Sequence, residues 1–178
     1  MKSKNLSKVV ASALFAAIIC VATFIVQIPS PATGGYVNLG DCFVLIAGIY
    51  LGYGYGALAA GLGSALADML AGYAQYVPAT FIIKALMAIT AYAVFKVICK
   101  KSRILAKITC GVISEAVMVL GYFGYEAVIL KYGIGAAGSI IPNIIQGLVG
   151  VFAAAALSTA LDAAIKRSKT LSQFFTKG

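Results

Sequence analysis

Long apolar runs alternate with short polar segments along this chain. A lipid bilayer core needs about 20 apolar residues for each helical crossing, and within it every backbone amide must be hydrogen-bonded inside the protein. The sequence therefore predicts an all-α, polytopic membrane protein with six transmembrane helices. The runs that predict these helices are residues 6–28, 41–51, 57–71, 78–99, 105–130 and 140–165.

Composition agrees with a single membrane domain. Hydrophobic residues make up 62% of the chain and charged residues only 11%, and the mean hydropathy is +0.99. So few charges do not cover the surface of a soluble protein of this size. We expect one integral membrane domain over residues 1–178, ending in a cytoplasmic tail at about 167–178.

The basic residues predict the orientation of the helices. Cytoplasmic loops of membrane proteins carry an excess of Lys and Arg. With six spans, Lys131 falls on one side and Lys84 within the membrane, and all other bases share the opposite side. Both termini are therefore predicted to be cytoplasmic, in a multi-pass protein of the bacterial plasma membrane. The bases on the cytoplasmic side are Lys2, Lys4, Lys8, Lys96, Lys100, Lys101, Arg103, Lys107, Lys166, Arg167, Lys169 and Lys177.

Several functional classes lack their motifs. The chain has no histidine, no P-loop motif and no CxxC pair among its four cysteines. It also lacks a nucleophile motif of the GxSxG type. We therefore expect no enzymatic activity, no metal and no cofactor, and the clustering of bases at helix ends argues against nucleic acid as a partner.

Polar residues within the apolar runs suggest a binding site. Lys84 lies six residues inside the fourth run, where a charge costs about 2.5–3.5 kcal/mol at a helix centre. Rise along each helix places the other polar residues of this group in the same outer half of the membrane. We predict that they line one outward-facing cavity, in which Lys84 contacts a ligand or forms an ion pair with a nearby acid. These residues are Asp68, Glu126, Asn143 and Gln146.

Aromatic residues and a glycine-rich connection lie at the same end. Tyr76 and Tyr122 offer stacking surfaces to a heterocycle, as does Tyr73. The connection at residues 30–40 carries Tyr36 and Asn38, and its glycines suit a mobile cover over the cavity. The first helix is different, since Ala13 and Ala17 form a small-residue face that packs either within the bundle or on a partner subunit.

The chain resembles the substrate-binding S components of energy-coupling-factor (ECF) vitamin transporters. The group it is most similar to is the ECF-type riboflavin transporter S component, which includes hydroxymethylpyrimidine and pyridoxine members. The matching motifs are Gly34–Asp41, Ala65–Asp68 with Gly72-Tyr73, Pro78–Lys84, Gly121–Phe123 with Glu126, and Pro142-Asn143 with Gln146.

The resemblance implies a vitamin site near the outer face, beneath a loop between the first two helices. It implies that Ala13 and Ala17 pack on a transmembrane coupling subunit, and that two ATPase subunits complete the importer. An alternative is a stand-alone secondary transporter in which Glu115 or Asp68 carries a proton. A third reading is a structural or assembly membrane protein without a small ligand.

Overall fold

The computed structural model describes residues 2–30 and 34–168. The last ten residues of the predicted cytoplasmic tail lie outside the described part. Within the described residues, five segments are long and apolar enough to cross a membrane. The helices are α1 (Lys2–Ile25), α2 (Asp41–Leu70), α3 (Val77–Ile98), α4 (Arg103–Gly124) and α5 (Ile140–Arg167). A π-helical segment, Tyr125–Ile129, continues α4, and a 3₁₀ segment, Gly133–Ser139, precedes α5.

Helix α2 contains a sharp reversal at Gly52. Its backbone angles there are φ 80° and ψ −169°, a conformation that only glycine adopts easily. A Cβ added at Gly56 would lie 2.7 Å from the carbonyl oxygen of Ala47, so the segments on either side of Gly52 pack against each other. The sequence predicted a break over residues 52–56, but residues 53–56 are helical. Six separate helices were predicted, and the described residues form five long helices. The second and third predicted helices are one element, α2, which reverses direction at Gly52.

Glycines bring the backbone of α2 close to both of its neighbours. A Cβ at Gly48 would lie 2.5 Å from the carbonyl oxygen of Ala88 in α3. At Gly63 the same distance, 2.5 Å, separates the added Cβ from the carbonyl oxygen of Ala16 in α1. Small residues of this kind let helices approach closely where lipid supplies no hydrophobic driving force. Helix α2 is consequently held tightly on two sides.

A β-hairpin connects α1 to α2. Strand β1 (Gln27–Ser30) pairs antiparallel with β2 (Gly35–Asn38), in a register that sets Gln27 against Asn38 and Ser30 against Gly35. The sequence predicted an irregular cover here and did not predict the strands. The ladder places Asn38 at the mouth of the bundle, where it is buried.

The distribution of polarity is the reverse of that in a soluble protein. Leu14, Leu120 and Phe152 are exposed at 59%, 69% and 70%, whereas Lys84 and Asp41 are each 1% exposed. Exposed apolar side chains suit a lipid environment, and charged residues inside the bundle need partners there. The interior polar residues thus lead directly to the candidate site.

Candidate functional site

A small polar cavity lies beneath the hairpin, between α2, α3, the end of α4 and α5. Its volume is about 40 Å³. A buried water needs about 10–15 Å³, so a cavity of this volume has room for a few waters. Its walls are formed by Gly35, Tyr36, Val37, Asn38, Asp68, Tyr76, Thr80, Tyr122, Glu126, Ser139, Asn143 and Gln146.

Asp68 joins the cavity to the hairpin. It lies near the end of α2 and is 4% exposed. The Tyr36 hydroxyl of β2 donates a hydrogen bond of 2.6 Å to Asp68 Oδ1, while Oδ2 is buried without a partner among the described residues. Burial and the neighbouring Asp68 carboxylate raise the pKa of Tyr36, so its hydroxyl remains a donor at neutral pH. The Thr80 hydroxyl also lies close enough to the Asp68 carboxyl to interact with it, but Oδ2 accepts no hydrogen bond within the described part of the chain.

Glu126 forms the acidic group on another wall. It lies in the π-helical segment and is 2% exposed. Tyr76 donates to Glu126 Oε1 at 3.1 Å, and the Ser139 hydroxyl donates to Oε2 at 2.5 Å. Both donors are neutral, so they orient the carboxylate without balancing a negative charge.

Lys84 pairs with Asp41, the first residue of α2. Lys84 Nζ donates to Asp41 Oδ1 in a pair whose side chains are 2% and 1% exposed. Asp41 Oδ2 accepts from Gln146 Nε2 at 2.5 Å. The other end of that amide, Gln146 Oε1, accepts from the backbone N–H of Asn38 at 2.7 Å. A continuous network therefore runs from the buried lysine through two side chains to the hairpin.

Tyrosines surround the same cavity. The rings of Tyr36 and Tyr73 have centroids 4.6 Å apart, and those of Tyr76 and Tyr122 are 6.4 Å apart. Lys84 Nζ lies 5.7 Å from the centroid of the Tyr122 ring, within cation–π range. The Tyr122 hydroxyl is 2.9 Å from Thr80 Oγ1. Aromatic faces and hydroxyls are thus both presented at the site.

The structure places most of the predicted site residues together. Lys84 and Tyr73 are the exceptions: Lys84 does not line the cavity and pairs with Asp41, and Tyr73 reaches the site only through its contact with Tyr36. The predicted residues that line the cavity are Asp68, Glu126, Asn143, Gln146, Tyr122, Tyr76, Tyr36 and Asn38.

Sequence reasoning missed Asp41 and Ser139. Asp41 was interpreted as the start of an apolar run and as the last residue of the motif Gly34–Asp41, and the partners considered for Lys84 were Asp68 and the glutamates. Ser139 immediately precedes the last run, the position of a helix N-cap, but here its hydroxyl bonds Glu126. A Ser or Asp at the start of a membrane helix was the available signal in both cases.

Glu115 of α4 is buried in the middle of the bundle. It is 5% exposed, and neither carboxyl oxygen accepts a hydrogen bond from a described residue, but the carboxyl groups of Glu115 and Asp41 lie close enough to interact. Gly147 and Gly150 of α5 make room for it, since a Cβ at either position would lie 3.0 Å from a Glu115 atom. The glycines explain how α5 accommodates this side chain, which also borders an apolar groove between α4 and α5.

A second polar cluster lies at the opposite end of the bundle. Asp162 accepts from Arg103 at 2.8 Å, from Lys107 at 2.7 Å and from Tyr50 at 2.7 Å. These contacts tie α2, α4 and α5 together, and Arg103 is 59% exposed. Because Asp162 is already bonded by three donors, we interpret this cluster as structural.

Helix α1 presents Ala13 and Ala17 outwards. Both are exposed, whereas Phe15 and Ile19 on the other face are buried. Ser12 holds the helix to the bundle by donating to the carbonyl oxygen of Tyr55 at 2.9 Å. Among the described residues, none therefore packs over the face formed by Ala13 and Ala17.

A protein family, a curated protein and a solved structure are similar to this chain. The sequence profile of the family "ECF-type riboflavin transporter, S component" matches residues 3–163. The chain is 35% identical over 133 residues to an uncharacterised protein of Pyrococcus woesei, described as lying in the "gap 3'region", and the match covers 75% of this chain and 86% of that protein. A solved structure, titled "Structure and mechanism of the S component of a bacterial ECF transporter", matches with a TM-score of 0.68 at 24% identity. It covers 93% of this chain and 99% of the other.

Proposed function

Because the chain belongs to the family of ECF-type riboflavin transporter S components, it is a membrane-embedded substrate-binding subunit, and we propose that it captures a small water-soluble vitamin or vitamin precursor. The observation that carries this proposal is the cavity under the hairpin, in which acids, amides and tyrosines converge. Specific small-molecule sites combine apolar or aromatic walls with a few placed polar groups in this way. The members of this family are components of transporters, and the family is not a class of enzymes.

The substrates we favour are a B6 form or hydroxymethylpyrimidine, followed by riboflavin. A B6 form or hydroxymethylpyrimidine fits more easily than riboflavin, because the volume of the cavity is only about 40 Å³. Entry of any of them requires the hairpin to move, since Tyr36 and Asn38 lie on the cavity wall. The bonds from Tyr36 to Asp68 and from Asn38 to Gln146 are the contacts that such an opening breaks.

We propose an arrangement in the membrane that is supported by the reversal at Gly52. With residues 41–51 and 53–70 as separate crossings, the chain has six spans and both termini in the cytoplasm. The cavity then faces outwards, while Arg103 and Lys107 lie on the cytoplasmic side with most other bases. Capture at the outer face and release inside fit an importer.

The partners we propose are a transmembrane coupling subunit and two ATPase subunits. The exposed Ala13 and Ala17 offer a flat face on which a partner helix packs. Replacing both by Leu is expected to abolish uptake and leave ligand binding intact. Val112→Leu, at a 52% exposed position on α4, is the control that should change neither.

The test is uptake of radiolabelled pyridoxine, hydroxymethylpyrimidine and riboflavin by cells that lack their own uptake systems. We expect accumulation of one compound only when the coupling subunit and ATPases are co-expressed, and its loss in the cavity variant Asn143→Leu. Leu120→Ala, on the lipid-exposed surface, is the control. Absence of uptake with the complete transporter for the whole panel would refute the proposal.

A second candidate is a proton-coupled transporter that works alone. It is favoured by Glu115, a buried carboxyl without a hydrogen-bond partner among the described residues. Uptake into vesicles driven by a pH gradient, without ATPases and lost in Glu115→Gln, would establish it. ATP-dependent uptake that survives Glu115→Gln would exclude it.

A further inference from the structure

We propose that the cavity selects a heterocycle that carries a positive charge, such as a ring with an ammonium group or a quaternised ring nitrogen, and rejects phosphate esters and carboxylates. This inference rests on the proposed function and specifies the substrate class of the same cavity. It is drawn from the charges on the cavity wall and from the way in which each is satisfied.

Two acids line the cavity and no base does. Asp68 and Glu126 belong to its wall, and no Lys or Arg of the described residues does. The nearest base, Lys84, is held by Asp41 in a buried pair, so its charge is already balanced. An anionic ligand would therefore meet two acids and no free cation.

The two acids are oriented by neutral groups only. Asp68 is bonded by the Tyr36 hydroxyl, and Glu126 by the hydroxyls of Tyr76 and Ser139. Asp68 Oδ2 is buried without a partner in the described structure. A buried carboxylate oxygen without a partner is costly, and a donor that carries positive charge relieves that cost most effectively.

The wider interior has the same imbalance. Four of the chain's five acids are buried within the described bundle, and of the two buried bases only Lys84 lies near them. The other buried base, Lys107, is bonded to Asp162 at the opposite end. The four acids are Asp41, Asp68, Glu115 and Glu126.

The tyrosines complete the requirements of a cation site. Tyr36, Tyr76 and Tyr122 all belong to the cavity wall, and Tyr73 stacks on Tyr36. Tyrosine faces attract a cation through the ring quadrupole, and aromatic cages recognise ammonium groups in this manner. Aromatic rings alone suit any flat heterocycle, but together with two unneutralised acids they favour a cationic one.

The test compares three probes of the same ring system on purified protein in nanodiscs, by isothermal titration calorimetry at pH 7. The probes are pyridoxamine, which has an ammonium group, pyridoxine, which has a hydroxyl in its place, and pyridoxamine 5′-phosphate. We expect pyridoxamine to bind at least tenfold more tightly than pyridoxine, and the phosphate ester at least 100-fold more weakly than pyridoxamine. Equal or tighter binding of the phosphate ester or of pyridoxine would overturn the inference, as would binding of none of the three.

Variants assign the preference to the two acids. Asp68→Asn and Glu126→Gln keep the shape of each side chain and remove its charge, so each should reduce the ratio of pyridoxamine to pyridoxine affinity at least fivefold. Asp162→Asn, outside the cavity, should leave the ratio unchanged. Circular dichroism checks that each variant is folded, and an unchanged ratio in both folded cavity variants would also refute the inference. ATP-dependent uptake of pyridoxine, riboflavin or a phosphate ester in preference to pyridoxamine would refute the charge preference while leaving the proposed function in place.

Discussion

The buried pair between Lys84 and Asp41 allows a quantitative test of the polar interior. Both side chains are at most 2% exposed, so removing either one leaves the other charge buried without its counter-ion. Breaking such a pair from one side costs about 3–5 kcal/mol, whereas replacing both partners is often nearly neutral. We therefore expect Lys84→Met and Asp41→Asn each to lower the free energy of unfolding by about 3–5 kcal/mol.

The double variant should recover most of this loss. Asn at position 41 still offers an oxygen to Gln146 Nε2, which now donates to Asp41 at 2.5 Å. The double variant is therefore expected to lose no more than about 1–2 kcal/mol, roughly one neutral hydrogen bond. The free energies of unfolding of the two single variants and the double variant are measured in mixed detergent micelles. Unfolding is followed by far-UV circular dichroism because the chain has no tryptophan.

A parallel cycle at Asp162 is the control. Lys107→Met leaves Asp162 bonded by Arg103 and Tyr50, and the Asp162 side chain is 17% exposed. The coupling between Lys107 and Asp162 should therefore be smaller than that between Lys84 and Asp41, because Arg103 still neutralises Asp162. Additive losses for Lys84→Met and Asp41→Asn would show that the two residues do not form a buried pair.

Three further predictions concern packing and the hairpin. Gly48→Ala should destabilise by about 1–3 kcal/mol because its Cβ would meet the α3 backbone, whereas Gly54→Ala, with open space, should be tolerated in the same unfolding assay. Gln146→Met removes the acceptor of the Asn38 amide, a bond of about 1.5 kcal/mol, so hydrogen exchange at that amide should quicken about tenfold; an unchanged rate would contradict the network. Glu115→Met removes a buried carboxyl that lies next to the Asp41 carboxyl and accepts no hydrogen bond from a described residue, so it should raise the free energy of unfolding by about 1–3 kcal/mol; a loss of stability would show that Glu115 has a stabilising partner.

The helical framework could be predicted from the sequence because lipid imposes a length and a polarity on each span. The apolar run at residues 78–99 became α3 (Val77–Ile98), with Pro78 in its first turn. The boundary near Gly52 was placed correctly but drawn too wide. The alternating Gly and Tyr residues at 52–56 indicate a break in the helix. Of these five residues, only Gly52 has a non-helical conformation.

Sequence reasoning could not choose the partner of Lys84 among the chain's acids. Helical spacing groups residues that share a face of one helix, such as Asn143 and Gln146, because i and i+3 are neighbours. It does not say which acid on another helix a lysine reaches. Asp41 is 43 residues from Lys84, and their contact depends on how α2 and α3 are rotated against each other.

The hairpin was missed for a related reason. Short strands carry little periodicity, and Pro29 and the surrounding glycines favoured a loop. The pairing of Gln27–Ser30 with Gly35–Asn38 is instead supported by contacts to the bundle, including the bond from the Asn38 amide to Gln146. Tertiary contacts therefore decided a structure that local propensity left open.

Native mass spectrometry of the protein purified from its own membranes tests the proposed binding site most directly. We expect a one-to-one complex with a small nitrogen heterocycle, absent from Asn143→Leu and retained by Leu120→Ala. Protein that carries lipid only, or an adduct that Asn143→Leu still binds, would contradict the assignment of the cavity as the substrate site.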